Sequence, residues 1–467
     1  MSELILDILV LIIEELEDDY NTLFNCLLVN SIWCKTTIPI LWKNYLNYAL
    51  FKFKYVSLIK LFFSYLSEES KILMNENGID FNLSFIPQKP LINYISFIKS
   101  IVIFDISKVI EICFNIKLLE NQKLIIEKEF YNIIFNQCSN IKCLDLSHEF
   151  YENKYDMVNY IEIKDHLSNL VEFTCTQYID EKIFDALAEI CVNIKKLEIR
   201  KRNKDNNGLF KLIQAQRQLE YFCYKGKKSR THDWDVFCKD MSEALIKHSN
   251  TLKHFNAPIR LCIPLITLNS FINLETLMLG YSTNYINDLH LIKLPKLQYL
   301  KVCYLTKVRE LIQNTGGFLK RIEIYKPLVE AEEIIKIIRV VYQHCPQLEY
   351  FCFPFVDKVG DILEELLLKC NDLKKIIMNG YYLDGDILLK ILIKSISKKL
   401  QHIEINGDWK FSVKELEEFL NNWKERNCLL YIKFDLSSHC SKKEFSDIFH
   451  KYIDDGVLDR NSCILNN

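Results

Sequence analysis

The sequence has little glycine and no excess of charge of either sign. Only 11 glycines occur in 467 residues, few for a protein that holds phosphate groups in glycine-rich loops. No P-loop, G-x-G-x-x-G, H-E-x-x-H or G-x-S-x-G pattern is present. We therefore expect no catalytic residues, no bound cofactor and no metal ion.

Long apolar runs and charge imbalance are also missing. No stretch reaches 18 uninterrupted apolar residues, Asp7 interrupts the first apolar run, and no basic segment precedes that run. We expect no membrane contact and no targeting segment. The 59 basic and 61 acidic residues give a net charge of −2, so we expect no nucleic-acid partner bound through its phosphates.

Cysteine is abundant but is not arranged for disulfides or metal ions. The 17 cysteines run from Cys26 to Cys463, and no C-x-x-C pair occurs among them. An odd number of thiols spread over so long a chain is typical of reduced cysteines in the cytoplasm or nucleus.

One short pattern returns along most of the chain. It consists of a Leu or Ile anchor, two mostly polar residues, an apolar residue, any residue and another apolar residue. Copies begin at Ile98, Ile141, Leu170, Ile194, Leu219, Leu252, Leu274, Leu297, Leu319, Leu348, Leu373, Leu400 and Leu429. From Ile141 onward the anchors lie 22 to 33 residues apart. The end of each copy alternates as a strand does, and the segments between copies have the periodicity of amphipathic helices.

Four cysteines keep the same place in this repeat. Cys138, Cys191, Cys345 and Cys370 each stand three residues before an anchor. A metal site is the alternative to a packing role, but no neighbouring cluster completes four ligands. "QCSNIKCLDL" and "HCPQLEYF" resemble the cysteine-containing leucine-rich repeats found in many F-box proteins. The expected fold class is α/β, an irregular solenoid with parallel strands on the concave side and helices outside.

The repeats depart from the family at one position. Leucine-rich repeats usually carry Asn or Cys eight residues after the anchor, where the side chain bridges neighbouring turns, and none of these copies does. The alternation places one residue of each strand on the free face of the sheet. The candidate target-facing residues are Glu198, Cys223, Glu323, Cys352 and Glu404.

The N-terminal stretch spans residues 4–42 and reads "LILDILVLIIEELEDDYNTLFNCLLVNSIWCKTTIPILW". It has more apolar surface than a unit so short can bury by itself. Its "LLVN", "W" and "LW" spacing resembles an F-box, a three-helix motif that binds the Skp1 adaptor of cullin–RING ubiquitin ligases. Ile5 stands where the family usually has Pro.

The resemblance implies a division of roles within this stretch. Trp33, Leu41 and Trp42 would form the F-box core. The residues that would bind Skp1 are Leu4, Ile5, Ile8, Leu9, Ile12, Leu16, Leu27, Leu28 and Val29.

The expected domains are an F-box-like unit (1–43), a helical connector (44–97), about 12 to 13 irregular repeats (98–450) and a C-terminal tail (451–467). The resemblance implies a non-catalytic substrate-recognition subunit of an SCF-type ubiquitin ligase, whose repeats bind an unknown target protein. The alternative is a repeat scaffold outside ubiquitination, in which the N-terminal helices cap the solenoid. Two basic clusters, at 200–204 and 225–230, are either solvated loops or a surface for an acidic ligand.

Overall fold

The structure is a computed structural model. It describes residues 3–44, 55–79, 87–102, 106–138, 140–147, 164–176, 179–200, 207–226, 234–280, 286–303, 307–325, 330–395, 399–436 and 442–466. The chain divides into two compact units, residues 1–219 with 226–234 and residues 220–225 with 235–467. Most of the basic clusters at 200–204 and 225–230 lies outside the described residues.

The described helices are α1 (Glu3–Glu14), α2 (Tyr20–Cys26), α3 (Ser31–Lys43), α4 (Tyr55–Phe63), α5 (Glu68–Glu76), α6 (Ile106–Phe114), α7 (Glu120–Gln137), α8 (Lys164–Leu167), α9 (Glu181–Ile190), α10 (Asn207–Ala215), α11 (Trp234–Ile246), α12 (Val308–Gln313), α13 (Ala331–His344), α14 (Gly360–Lys369), α15 (Gly385–Ser395), α16 (Val413–Lys424) and α17 (Lys442–Asp454). Four further described segments form 3-10 helices: Tyr94–Phe97, Leu265–Ser270, Ile286–Leu291 and Asp357–Val359.

The strands are β1 (Ser100–Val102), β2 (Cys143–Leu146), β3 (Glu172–Thr176), β4 (Lys196–Arg200), β5 (Tyr221–Lys225), β6 (His254–Ala257), β7 (Thr276–Leu279), β8 (Tyr299–Val302), β9 (Arg321–Ile324), β10 (Tyr350–Pro354), β11 (Lys375–Asp384), β12 (His402–Lys410), β13 (Tyr431–Leu436) and β14 (Cys463–Asn466). In the first unit, β1 to β4 pair in parallel in chain order. In the second unit, β5 to β14 do the same.

The predicted fold class is confirmed, since parallel strands alternate with helices in both units. Each of the repeat motifs carries one strand, and twelve of the anchors are fully buried. The exception is Leu429, which is exposed, while its neighbour Leu430 is buried. In that copy, Leu430 therefore fills the buried anchor position, one residue later than the motif predicts.

Side-chain caps begin several of the helices. The Asp180 carboxylate accepts a hydrogen bond from the Lys182 N–H at 2.9 Å, at the start of α9. The Ser412 hydroxyl accepts one from the Glu415 N–H at 3.3 Å, at the start of α16. Each cap satisfies a backbone donor that the first helical turn leaves without a partner.

The repeats are irregular because their connections differ in length. The anchors at Leu252, Leu274 and Leu297 are 22 and 23 residues apart, and the segments between them hold 3-10 helices instead of the predicted α-helices. The region 451–467, predicted as a tail, contains the end of α17 and the strand β14, which pairs with β13. The repeat coil therefore runs further toward the C-terminus than the motifs indicate.

Hydrogen bonds from one repeat to the next set the register. The carbonyl of the residue after an anchor accepts two N–H groups from the following repeat. Lys320 O, for example, accepts from Glu349 N at 2.8 Å and from Tyr350 N at 3.0 Å. The same pattern recurs at Lys142 and Lys374, so each turn of the coil starts at a defined point.

All four recurring cysteines stand at the ends of helices, and two of them bridge neighbouring turns. All four are buried, and each is the C-terminal cap residue of its helix. The Cys138 thiol donates to Ile95 O and the Cys191 thiol to Leu167 O, both at 3.2 Å. Ile95 and Leu167 occupy the same position one repeat earlier, so in these two repeats the cysteine thiol bridges neighbouring turns.

Candidate functional site

The three N-terminal helices form a small bundle with its own core. Leu9 and Ile13 of α1 pack with Leu23 of α2 and Leu41 of α3. The partly buried residues around this core are Leu16, Tyr20, Phe24, Leu27, Ile32, Trp33, Ile40 and Trp42. Trp33, Leu41 and Trp42 therefore all belong to the interior or its edge, which is a structural role.

The same bundle leaves other large apolar side chains in solvent. Ile12 on α1 is 50% exposed, and Leu28, just after α2, is 85% exposed. Leu6, Ile8, Leu11 and Val29 are exposed as well. Large apolar side chains grouped on one small unit are typical of interaction surfaces.

The structure divides the residues that the F-box resemblance assigns to adaptor binding. Ile8, Ile12, Leu28 and Val29 are exposed, whereas Leu9 is buried in the bundle core. Leu16 and Leu27 are partly buried against that core. The side chains of Leu4 and Ile5 lie outside the described residues. Among the described residues of this predicted adaptor-binding set, the four exposed ones present the most side-chain surface to a partner.

The C-terminal end of α3 joins the bundle to the repeats. Lys43 O, at the end of α3, accepts the Lys99 N–H at 3.0 Å, directly before β1. The Trp42 and Tyr94 rings lie 5.0 Å apart at the same junction. Within the bundle, the Lys43 ammonium pairs with Glu17 at 2.7 Å. The hydrogen bond from Lys99 to Lys43 O thus extends the pattern of hydrogen bonds between repeats by one turn, from the first repeat to the bundle.

The second candidate surface is on the strands of the second unit. In each repeat the residues three and five after the anchor face the helices, while those two and four after it lie on the other side, called here the outward strand face. On β8 to β13 this face carries Tyr299, Lys301, Arg321, Glu323, Tyr350, Cys352, Lys375, Ile377, His402, Glu404, Tyr431 and Lys433.

Glu323 is the centre of a polar cluster on this face. Its carboxylate accepts hydrogen bonds from Tyr299 Oη at 2.9 Å, Tyr325 Oη at 3.0 Å and Arg321 Nε at 2.7 Å. Lys301 Nζ pairs with its second oxygen at 3.0 Å. Burial would raise the pKa of Glu323, but the hydrogen bonds from Lys301, Arg321 and Tyr299 outweigh burial and lower it. Glu323 therefore stays ionised although almost no solvent reaches it.

Two tyrosine rings hold the Arg321 guanidinium between them. Its central carbon lies 4.6 Å from the Tyr299 ring centroid and 4.2 Å from that of Tyr350. Burial, together with the charge of Glu323, raises the pKa of Tyr350 to about 12, so this ring stays neutral. The guanidinium is fixed by Glu323 at one edge and by a ring on each face.

A second cluster surrounds Glu404. Lys375 Nζ and His402 Nε2 contact the same carboxylate oxygen at 2.6 and 2.7 Å, and the His402 ring stacks on Tyr431 with centroids 4.0 Å apart. The hydrogen bond from His402 is the largest influence on Glu404. With Lys375 it outweighs burial and lowers the pKa of the carboxyl to about 2.

The remaining predicted target-facing residues have little free surface. Glu198 is buried and accepts a hydrogen bond from Arg200 Nε at 2.6 Å. Cys223 and Cys352 are fully buried, and the Asn379 amide donates to the Cys352 sulfur at 3.3 Å. Because neighbouring side chains cover them, neither thiol is available to a partner.

Sequence reasoning missed the residues that dominate the outward strand face. Arg321 and Lys375 stand two residues after their anchors, whereas the predicted residues all stand four after theirs, so the prediction omitted them. Lys301 does stand four after its anchor but was not among the predicted residues. A signal was present, since on most strands of the second unit an aromatic or basic residue stands two after the anchor. These residues are Tyr221, His254, Tyr299, Arg321, Tyr350, Lys375, His402 and, from the anchor motif at Leu429, Tyr431.

Among the described residues, no group of three or more His, Cys, Asp or Glu side chains is arranged to hold a metal ion. Within the same residues, no helix is both long and apolar enough to cross a membrane.

No protein-family model matches the sequence, and the search of curated proteins found no match. Solved structures that are similar include an LRR protein of Leptospira interrogans, with 14% identity, 70% of this chain and 97% of that chain covered, and a TM-score of 0.29. Another is the leucine-rich repeat-containing protein LegL7 from Legionella pneumophila, with 10% identity, coverage of 63% and 81%, and a TM-score of 0.29. Within each of the two units, the parallel strands in chain order and the constant repeat register are those of a leucine-rich-repeat solenoid.

Proposed function

We propose that this protein is a non-catalytic substrate-recognition subunit of an SCF-type cullin–RING ubiquitin ligase. The N-terminal bundle would bind a Skp1-like adaptor, and the repeats would bind a target protein. The bound target would then meet the ubiquitin-loaded enzyme at high effective concentration. The reduced state expected for its cysteines fits a protein of the cytoplasm or nucleus.

The observation that supports adaptor binding is the exposed apolar surface of the bundle. A bundle that only capped the coil would need a polar outer face to stay soluble. Here Ile8, Ile12, Leu28 and Val29 are exposed, whereas Trp42 and Lys43 make the contacts to the first repeat. The bundle therefore has one side joined to the repeats and apolar residues left over for a partner.

The alternative function is a repeat scaffold outside ubiquitination. It is favoured by the hydrogen bond from Lys99 to Lys43 O, which gives the bundle a capping role at the start of the coil. Ile5, in the place of the family's Pro, favours it as well. Under this alternative the exposed apolar residues would bind something other than Skp1, or nothing.

The test is co-expression with Skp1 followed by size-exclusion chromatography. The variant Ile8→Glu/Ile12→Glu changes two exposed residues and should abolish a 1:1 complex while the chain stays folded. Ile112→Glu is the matched control, because Ile112 is an exposed isoleucine on α6, outside the bundle. Leu9→Glu would not discriminate, since a charge at that buried position unfolds the bundle.

Either outcome of this experiment is informative. A wild-type complex that survives Ile112→Glu and is lost in Ile8→Glu/Ile12→Glu supports the ubiquitin-ligase proposal. A folded wild-type chain that elutes alone with Skp1 present refutes it and leaves the scaffold function.

A further inference from the structure

On the outward strand face of the second unit, the lysine and arginine side chains are more exposed than the carboxylates that they contact. The Arg321 side chain is 46% exposed, whereas that of Glu323, which it contacts, is 2% exposed. Lys301 and Lys375 are also partly exposed, each above a more deeply buried carboxylate. On β8 to β13 the four lysine and arginine side chains of this face also outnumber its two carboxylates, so a partner approaching it meets positive charge first.

Arg321 is also held rigid before any partner arrives. Tyr299 and Tyr350 stack on its two faces, and Glu323 fixes one edge. An arginine that has already lost its rotamer freedom loses little more entropy on binding, so it can contribute more to affinity than a mobile surface cation. A planar guanidinium recognises carboxylates through parallel, charge-assisted hydrogen bonds.

The cations are spaced to contact an extended peptide. Arg321 lies on β9 and Lys375 on β11, two strand positions apart. Neighbouring strands are about 4.8 Å apart, so these two side chains start about 10 Å from each other. A polyproline II segment advances about 3.1 Å per residue, so its residues i and i+3 lie on one face about 9 Å apart.

We propose that the outward strand face of β8 to β11 binds an extended, acidic segment of a partner protein, with Asp or Glu side chains three residues apart contacting Arg321 and Lys375. This inference rests on the proposed function, because it specifies the chemistry of the target that the repeats would hold. Single-stranded nucleic acid, whose affinity comes from neutralising many phosphates, fits less well, because each of these cations already pairs with Glu323 or Glu404.

The test uses fluorescence anisotropy with three labelled peptides and the full chain. The probes are four repeats of Glu-Pro-Ala, the matched neutral peptide of four Gln-Pro-Ala repeats, and four Lys-Pro-Ala repeats; a 12-nucleotide oligo-dT is the fourth probe. We expect the Glu peptide to bind at least tenfold more tightly than each of the other three, with affinity falling as salt rises. Equal binding of the Glu and Gln peptides, or tighter binding of oligo-dT, would overturn the proposal.

Two variants assign the binding to Arg321. Arg321→Ala removes the guanidinium but leaves Glu323 buried with fewer partners, so Arg321→Ala/Glu323→Gln serves as a charge-balanced version that avoids this cost. Both should weaken binding of the Glu peptide at least tenfold. Arg339→Ala is the control, because Arg339 is an exposed arginine on α13 of the neighbouring connection. Unchanged affinity in the charge-balanced variant, with a folded chain, would refute the assignment.

Skp1 binding of each variant, measured in parallel, separates the two proposals. Loss of peptide binding with the Skp1 complex intact supports the role of Arg321. A wild-type chain that binds Skp1 but prefers no acidic peptide refutes this inference alone. A chain that binds the Glu peptide but never Skp1 refutes only the ubiquitin-ligase proposal.

Discussion

The thiol of Cys191 lies 3.2 Å from the carbonyl oxygen of Leu167, the residue at the same repeat position one turn earlier. In the next repeat this position holds Gln216, whose side-chain amide donates to Cys191 O at 2.7 Å. Two different side chains therefore make the same kind of bridge between turns. A polar side chain at this position reaches the backbone of the preceding turn, so its hydrogen bond ties one repeat to the next.

The first prediction concerns this bridge. Cys191→Ala should lower the free energy of unfolding by about 1 kcal/mol, because it removes a weak hydrogen bond and leaves a small cavity in a buried site. A thermal melt followed by circular dichroism should show the loss as a fall of about 2 °C in Tm. Cys34→Ala, at a partly exposed position, is the matched change and should shift Tm less. Equal shifts would mean that the bridge contributes nothing.

The second prediction concerns thiol reactivity. Burial, with a smaller contribution from Cys370, raises the pKa of Cys345 to about 12. Burial alone raises that of Cys370 to about 12. At pH 8 only about one in ten thousand of such thiols is ionised, against roughly a quarter at the ordinary pKa near 8.5.

Alkylation with iodoacetamide at pH 8, followed by peptide mass spectrometry, checks this expectation. Cys345 and Cys370 should remain unmodified in the folded chain, while the partly exposed Cys34 and Cys428 react. In denaturant all four should react. Rapid modification of Cys345 in the folded chain would show that its repeat opens readily.

The third prediction concerns the close approach of β11 and β12. Gly407 has a φ of +109°, and a Cβ there would lie 1.8 Å from Gly380 O. Gly407→Ala should therefore destabilise the second unit by about 3 kcal/mol or more, because two backbones would have to separate. Gly456 has a φ of +71° with nothing within 4 Å of its Cβ, so Gly456→Ala should cost only about 1 kcal/mol. Comparable urea midpoints for the two variants would contradict this account.

The fourth prediction is a pH dependence that arises from Glu404. Its pKa is about 2 in the folded chain and near 4.3 in an unfolded one, so the folded state binds the proton more weakly. The stabilisation is complete above about pH 4.5 and is lost as the pH falls through the window down to about 2.

Thermal melts of Glu404→Gln at several pH values test this sign. The variant should have a lower Tm than the wild type at pH 7, and the difference should shrink between pH 4.5 and pH 2. Glu332→Gln, at an exposed position on α13, should change Tm little at either end of the range. A difference that grows on acidification would show that Glu404 is not stabilised by Lys375 and His402.

Much of the fold followed from the repeat pattern. The anchor motif predicted where the strands from β1 to β13 lie, because a residue buried in every turn must be apolar at a constant offset from its strand. Leu429 shows the limit of this reasoning. Two leucines stand side by side there, and only the packing of the last repeats selects Leu430. The strand β14 has no motif copy of its own, and it is held by pairing with β13.

The candidate site was less predictable than the fold. Alternation along a strand separates its two faces but does not say which outward residues remain in solvent, so Cys352 and Arg321 could not be told apart as buried and exposed. The same holds for the first helix, where Leu9 and Ile12 look alike in sequence and differ in the bundle.

The repeat, its strands and the apolar character of the N-terminal bundle can be read from the amino-acid sequence, because they depend on residue type and spacing along one chain. The buried carboxylates beneath cations, the thiols that bridge turns and the bundle residues that face solvent become apparent only in the folded chain. Those properties depend on side chains from neighbouring turns. The position of the Arg321 guanidinium, for example, is set by the rings of Tyr299 and Tyr350. These residues lie 22 and 29 residues away along the chain but next to Arg321 on the adjacent strands.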